Sequence, residues 1–377
     1  MKTNRIGRSL CAIVLFSWGT TATATDAELD RLMRLGTDAF HAGRFLDAER
    51  YHRLAFERAE AERVSGAEII HATQYLANDL LTLGQYMESE RLFNLALSIM
   101  KTRNITDVPF EATVLDGLGT LYRRIGDYKR AESFLNQALR LLQQHVNPND
   151  EQFSHVFNNL GVLYVLTDRK RLAEDSFKKA IAILEKQDSP NDADFASVLT
   201  NLGALYAVRK KWSAATPLLF RALAAAERSL GPDHPGLSAT VDTLGVFYYD
   251  RGQFAEAEAA FRRALQIRRD SFGPDHASLA IIYMNIGIVL ARRNADEEAQ
   301  GMFTEALRIQ GINNKEADPD TVKILEHFAK LLHKMKRHIQ AHEMEARASM
   351  IRTKLEYTIP VTQFDVLTNR YSSDSRW

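Results

Sequence analysis

The sequence predicts an all-α chain built as a solenoid of eight stacked helix hairpins. Three observations lead there. A small residue recurs at intervals of 41 or 42 positions, at Gly36, Ala77, Gly119, Gly161, Gly203, Gly245, Gly287 and Ala329. Nineteen residues after each of these stands an alanine, from Ala55 to Ala348. Between units, Pro148, Pro190, Pro232 and Pro274 repeat the 42-residue spacing. A period of this length marks a repeat architecture, in which each unit buries its apolar face only against the next.

The first helix of each unit follows from what surrounds the small residue. Leu118, Leu160, Leu202 and Leu244 precede it by one, and Tyr122, Tyr164, Tyr206 and Tyr248 follow it by three. Offsets of three and four fall on one helical face. Seven residues after the small position come Gly43, Gly84, Gly126 and Gly252, or elsewhere Asp168 and Asn294, types that tolerate the left-handed turn closing a helix. The second helix then presents Ala at +12 (Ser89 in the second unit), a large apolar residue at +16 (Phe93, Leu135, Phe177, Leu219, Phe261, Phe303) and Ala at +19. Small residues let two backbones approach, and the large one fills the gap between units. The first and last units hold His52 and Glu345 at +16, the expected mark of end-capping repeats with one side facing water. Proline ends the third to sixth units, and the Asx residues behind it, Asn149-Asp150, Asn191-Asp192, Asp233 and Asp275, are placed to cap the next helix.

The pattern Leu-Gly-x-x-Tyr followed by Ala-x3-Phe-x2-Ala resembles the tetratricopeptide repeat (TPR). The 42-residue spacing and the Gly-Pro-Asp-His link, Gly231–His234 and Gly273–His276, resemble its kinesin-light-chain-like branch. The resemblance spans residues 26–356 and implies a right-handed solenoid whose first helices line a concave, ligand-binding groove.

Lys2, Arg5 and Arg8, an apolar run from Leu10 to Trp18 and the small-residue stretch ending at Ala24 form the pattern of a secretory leader over residues 1–24. The expectation is an exported protein, periplasmic or secreted. Removing the leader also removes Cys11, the only cysteine, so no disulfide framework or thiolate metal site is expected. With 48 basic and 48 acidic residues the chain lacks the excess positive charge of a generic nucleic-acid binder, and no integral membrane span is expected after residue 24. Residues 357–377 leave the repeat and form a Ser-, Thr- and Asp-containing tail. A frayed end is the simple reading of it; docking on a partner, or self-association, is the sharper one.

No phosphate-binding, dinucleotide-binding or zinc-protease motif occurs, and carboxylates do not converge by spacing, so no enzymatic activity and no cofactor are expected. His327, His333, His338 and His342 gather in the last unit, but Lys334, Lys336 and Arg337 stand among them, which favours a solvated basic cap and no metal site. What remains is the groove that the family resemblance implies. Its offsets select Asn78, Asp116, Arg123, Arg124, Asn158, Asn159, Asn201, Asp242, Tyr249 and Asn285, with Val162, Val165, Leu166, Ala204, Ala207, Val208, Val246 and Ile288 as an apolar upper part. An asparagine amide both donates and accepts, so a row of them suits a peptide backbone. Family members that clamp a C-terminal carboxylate carry Lys or Arg in the opening repeats, where this chain has Asp30, Met33, His71 and Gln74. A non-enzymatic scaffold for assembling envelope or export machinery, taking peptide or protein partners, is the resulting expectation; a secreted effector or adaptor, or an accessory subunit of an enzyme complex, are its rivals.

Overall fold

The structure, a computed structural model, describes residues 24–62, 64, 66–187, 192–313 and 318–358. Within them sixteen α-helices and one 3-10 turn (Pro235–Leu237) follow one another without a strand. The helices pair in sequence: α1 (Ala24–His41) with α2 (Phe45–Ala61), α3 (Ala67–Thr82) with α4 (Tyr86–Arg103), α5 (Val108–Arg124) with α6 (Tyr128–His145), and α7 (Glu151–Leu166) with α8 (Lys170–Leu184). The second half repeats the arrangement with α9 (Asp192–Val208) and α10 (Trp212–Leu230), α11 (Ser238–Asp250) and α12 (Phe254–Phe272), α13 (Leu279–Arg292) and α14 (Asp296–Ile312), and α15 (Pro319–Lys334) and α16 (His338–Thr358). Each even-numbered helix packs on the next odd one, and α5, α7, α9 and α11 also touch in series to form one wall. Residues 1–23 of the expected leader, Pro190 and the chain after Thr358 lie outside the described residues. Among the described residues no helix is long and apolar enough to cross a membrane.

The two combs meet as their spacing requires. A Cβ added at Gly161 would stand 2.4 Å from Cε1 of Phe177, and one at Gly119 2.6 Å from Cγ of Leu135. The small residue of the first helix is therefore the seat of the large residue of the second. All eight alanines at +19 are buried, as are Ala48, Ser89 and the alanines that follow at +12. The turn position at +7 has positive φ in all eight hairpins, including two without Gly, Asn or Asp: Lys210 at 55° and Lys336 at 62°. Here the tertiary pairing of the helices imposes a left-handed residue against its intrinsic preference.

Two expectations about the ends of elements are corrected. His52 does not face water; it is 1% exposed. Its Nδ1 lies 2.6 Å from Oδ2 of Asp79, its Nε2 3.3 Å from the Met33 carbonyl, and its ring stacks on Tyr75. In this architecture the +16 residue sits between its own first helix and that of the following unit, so only the last unit leaves the position open. Glu345 accordingly is exposed. Capping differs too. Asp150 accepts from the Gln152 N–H as expected, but in the Gly-Pro-Asp-His links the histidine does this work: Nδ1 of His234 accepts from the Gly236 N–H at 3.0 Å.

Candidate functional site: the inner wall

The wall of odd-numbered helices carries a ladder of polar residues that runs across the repeats. Asn159 Nδ2 donates to both oxygens of Asp116 at 2.9 and 2.8 Å, and Asn201 Nδ2 donates to Oδ1 of Asn158 at 2.9 Å. Each rung joins position −2 of one unit to position −3 of the unit before. In the next unit Thr243 donates to its own helix at Ala239, and the contact passes to Thr200 and Thr240, 2.9 Å apart. Asp242 and Asn285 hold the positions of the following rung, but neither Asn285 Nδ2 nor Asp242 Oδ1 has a hydrogen-bond partner. The amides are thus partly committed to holding units in register; Asn159 and Asn201 offer a ligand chiefly their carbonyl oxygens, and Asn158 its Nδ2.

Burial sorts the expected residues. Asp116, Asn158, Asn159, Asn201, Asp242 and Tyr249 are half-buried along the wall, Asn78 likewise on α3, and Arg124 is exposed. Asn285 is not on the open surface: it is 4% exposed, and Ile288 and Ala291 beside it are buried as well. The accessible wall therefore runs from α5 to α11 and closes at α13. Val162, Val165 and Leu166 on α7, Ala204 on α9 and Val246 on α11 are half-buried, and Val208 is 65% exposed, which leaves an apolar strip beside the ladder. Ala207, expected in this strip, is buried. Between α9 and α11 a small cavity of about 80 Å³ is lined by Ser197, Asn201 and Ala239.

Charge is concentrated at one end of this strip. Burial and the neighbouring Arg124 guanidinium push the Arg123 pKa down to about 10, and Asp116 only partly opposes them. The Nε of Arg123 is buried with no hydrogen-bond partner. Arg124 donates to the Leu81 carbonyl at 3.0 Å. Burial raises the Asp116 carboxyl, against the Asn159 amide, and does the same to Asp242. A buried cation without a matched carboxylate is costly unless an anionic group completes it. At the other end Tyr249 accepts from Nε of Arg292 at 3.2 Å.

One contact was invisible to the repeat pattern. The turn of the first hairpin reaches the link between α10 and α11. His234 Nε2 donates to the His41 carbonyl at 2.9 Å, and the rings of Phe45 and Phe272 stack with centroids 5.2 Å apart. An open cleft of about 480 Å³, lined by Gly43, Arg44, Pro232 and Asp233, lies at this junction. The signal was the histidine of the link, whose ring caps the 3-10 turn before α11 with one nitrogen and reaches outward with the other.

Models of the tetratricopeptide repeat match residues 67–144, 237–311 and 195–236, together just over half the chain. No curated protein matches it in sequence. Among solved structures it is similar to a Rap protein complexed with competence and sporulation factor, at 13% identity and a TM-score of 0.59 over 88% of this chain and 100% of that one. NprR in complex with its cognate peptide NprX follows at 16% identity and 0.54, over 79% and 81%. A Podosopora anserina putative kinesin light chain with nearly identical TPR-like repeats shares 17% identity at 0.46, over 56% and 98%. At these identities the likeness is one of fold. With sixteen helices paired in register among the described residues and the repeat signature in its second, third and fifth to seventh units, the chain belongs to the tetratricopeptide repeat family.

Proposed function

We propose that this protein is a non-enzymatic scaffold that binds an extended segment of a partner protein along the wall from α5 to α11. The observation that carries the reading is the buried Nε of Arg123, which has no hydrogen-bond partner, at the end of an apolar strip in which Val208 is exposed. An acidic side chain or chain terminus would pair with Arg123 and Arg124, and apolar side chains would cover Val162, Val165 and Val208. The ladder carbonyls would accept from the ligand backbone. Support also comes from the two similar folds described with bound ligands, the Rap protein with its factor and NprR with its peptide. The leader-like residues 1–24 favour work outside the cytoplasm, in the assembly of envelope or export machinery.

A random peptide display library selected on the full chain tests the site. Enriched peptides should carry an acidic group next to apolar residues, and binding should be lost in a Val162→Glu, Val165→Glu, Val208→Glu variant. Selection of the same peptides by that variant, with its thermal transition intact, would move recognition off this wall.

A further inference from the structure

The last described hairpin brings three histidines and a carboxylate together at its exposed end face. His333 comes from the end of α15; His338, His342 and Glu345 come from α16. Glu345 Oε1 lies 2.9 Å from His333 Nε2, and its Oε2 lies 2.9 Å from His342 Nδ1. One ligand atom from each of the three residues falls within 4.8 Å of the others. A tetrahedral zinc with bonds of about 2.0–2.1 Å spaces its ligand atoms about 3.3 Å apart, so rotamer adjustments of less than an ångström or so would seat the ion. The side chains are half to fully exposed and free to make them.

We propose that His333, His342 and Glu345 bind a divalent transition metal ion of the zinc class, with His338 as a positioning residue. Nδ1 of His338 lies 3.2 Å from Nδ1 of His333. Accepting the proton there leaves Nε2 of His333 free to bind the metal, which is how an outer partner sets the tautomer of a ligating imidazole. Two imidazoles and one carboxylate leave a fourth position open to water or to a side chain from another molecule.

Two of the three cations among these histidines turn aside. Lys334 Nζ reaches back to the preceding hairpin, 2.6 Å from the Ala291 carbonyl and 2.7 Å from Asp296 Oδ1. Arg337 pairs with Glu297 at 2.8 Å and with Gln300. Their charge is matched by the first turn of α14, which leaves Lys336 as the one cation of the three without such a carboxylate among the described contacts.

The test is a calorimetric titration of zinc chloride into the full chain after treatment with EDTA and dialysis. One zinc per chain is expected, with affinity lowered roughly tenfold or more in His333→Gln, His342→Gln and Glu345→Gln, and also in His338→Ala. The thermal transition of each metal-free variant should match that of the parent, and cobalt should give the visible absorption of a tetrahedral site. Absence of zinc binding by the parent, or equal binding by the His333→Gln and His342→Gln variants, would overturn the proposal. So would loss of zinc in His155→Gln alone, which would place the ion at Glu151, His155 and Asp194 instead.

Discussion

The first and last hairpins carry a polar residue at the same register position and treat it in opposite ways. His52 is sealed between α1 and α3 and paired with Asp79, whereas Glu345 stands in solvent with 49% of its side chain exposed. Both positions hold a polar residue; what differs is that a following hairpin packs on the first and none among the described residues packs on the last. A solenoid is directional, and its +16 residue packs forward. The first unit therefore needs a buried partner for any polar group there, while the last can use the position freely, as a ligand among other roles.

A series along this register sharpens the comparison. Phe177→Ala, in the middle, should lower the unfolding free energy by roughly 3–5 kcal/mol in urea denaturation, because its buried ring fills the seat left by Gly161. Asp79→Ala, which removes the second unit's partner of His52 in the first, should cost roughly 3 kcal/mol by stranding a buried imidazole. Glu345→Ala should shift the same curve by no more than about 0.5 kcal/mol. Equal effects of the last two would end the distinction between the ends.

Acid should act on the C-terminal end through His327. Burial, aided by Lys330, Arg292 and Lys323, lowers its pKa to about 4. The unfolded chain binds that proton more readily, so the contribution is whole above the ordinary histidine pKa and is lost as pH falls from about 6.5 to about 4. Across that window stability should fall by up to about 3 kcal/mol, and His327→Gln should flatten the loss when the midpoint is followed against pH. A pH profile unchanged by the substitution would refute the assignment.

The smallest expected effects concern the turns. Lys210→Gly and Lys336→Gly should each raise stability, by about 1 kcal/mol, since both residues hold a left-handed φ that glycine adopts without strain. Thermal unfolding of each variant would show the gain, and Gly252→Lys should show the corresponding loss.

Much of the groove was legible, and its energetics were not. The offsets of the repeat put Asn158, Asn159 and Asn201 on the wall, yet spacing within a helix says nothing about the helix beside it. Only stacked neighbours reveal that Asn201 donates to Asn158 and Asn159 to Asp116. Asn201→Ala consequently removes a rung of the ladder as well as a ligand contact, a role the repeat spacing alone would have left neutral for stability. Asn285 obeyed the same rule of spacing and still lost its surface, because α13 is closed over at the point where the wall ends.

The sequence by itself determined the number of hairpins, the face each helix buries and the seat of each large residue, because these depend on contacts within a unit and with its neighbour. Such contacts recur every 42 residues and so leave a periodic trace. The tertiary structure alone decided the contact of His234 with His41, nearly five units away, the burial of His52 and the placing of Glu345 between His333 and His342. These arise from the curvature of the whole stack and from its two unlike ends, which occur once per molecule and have no period to betray them.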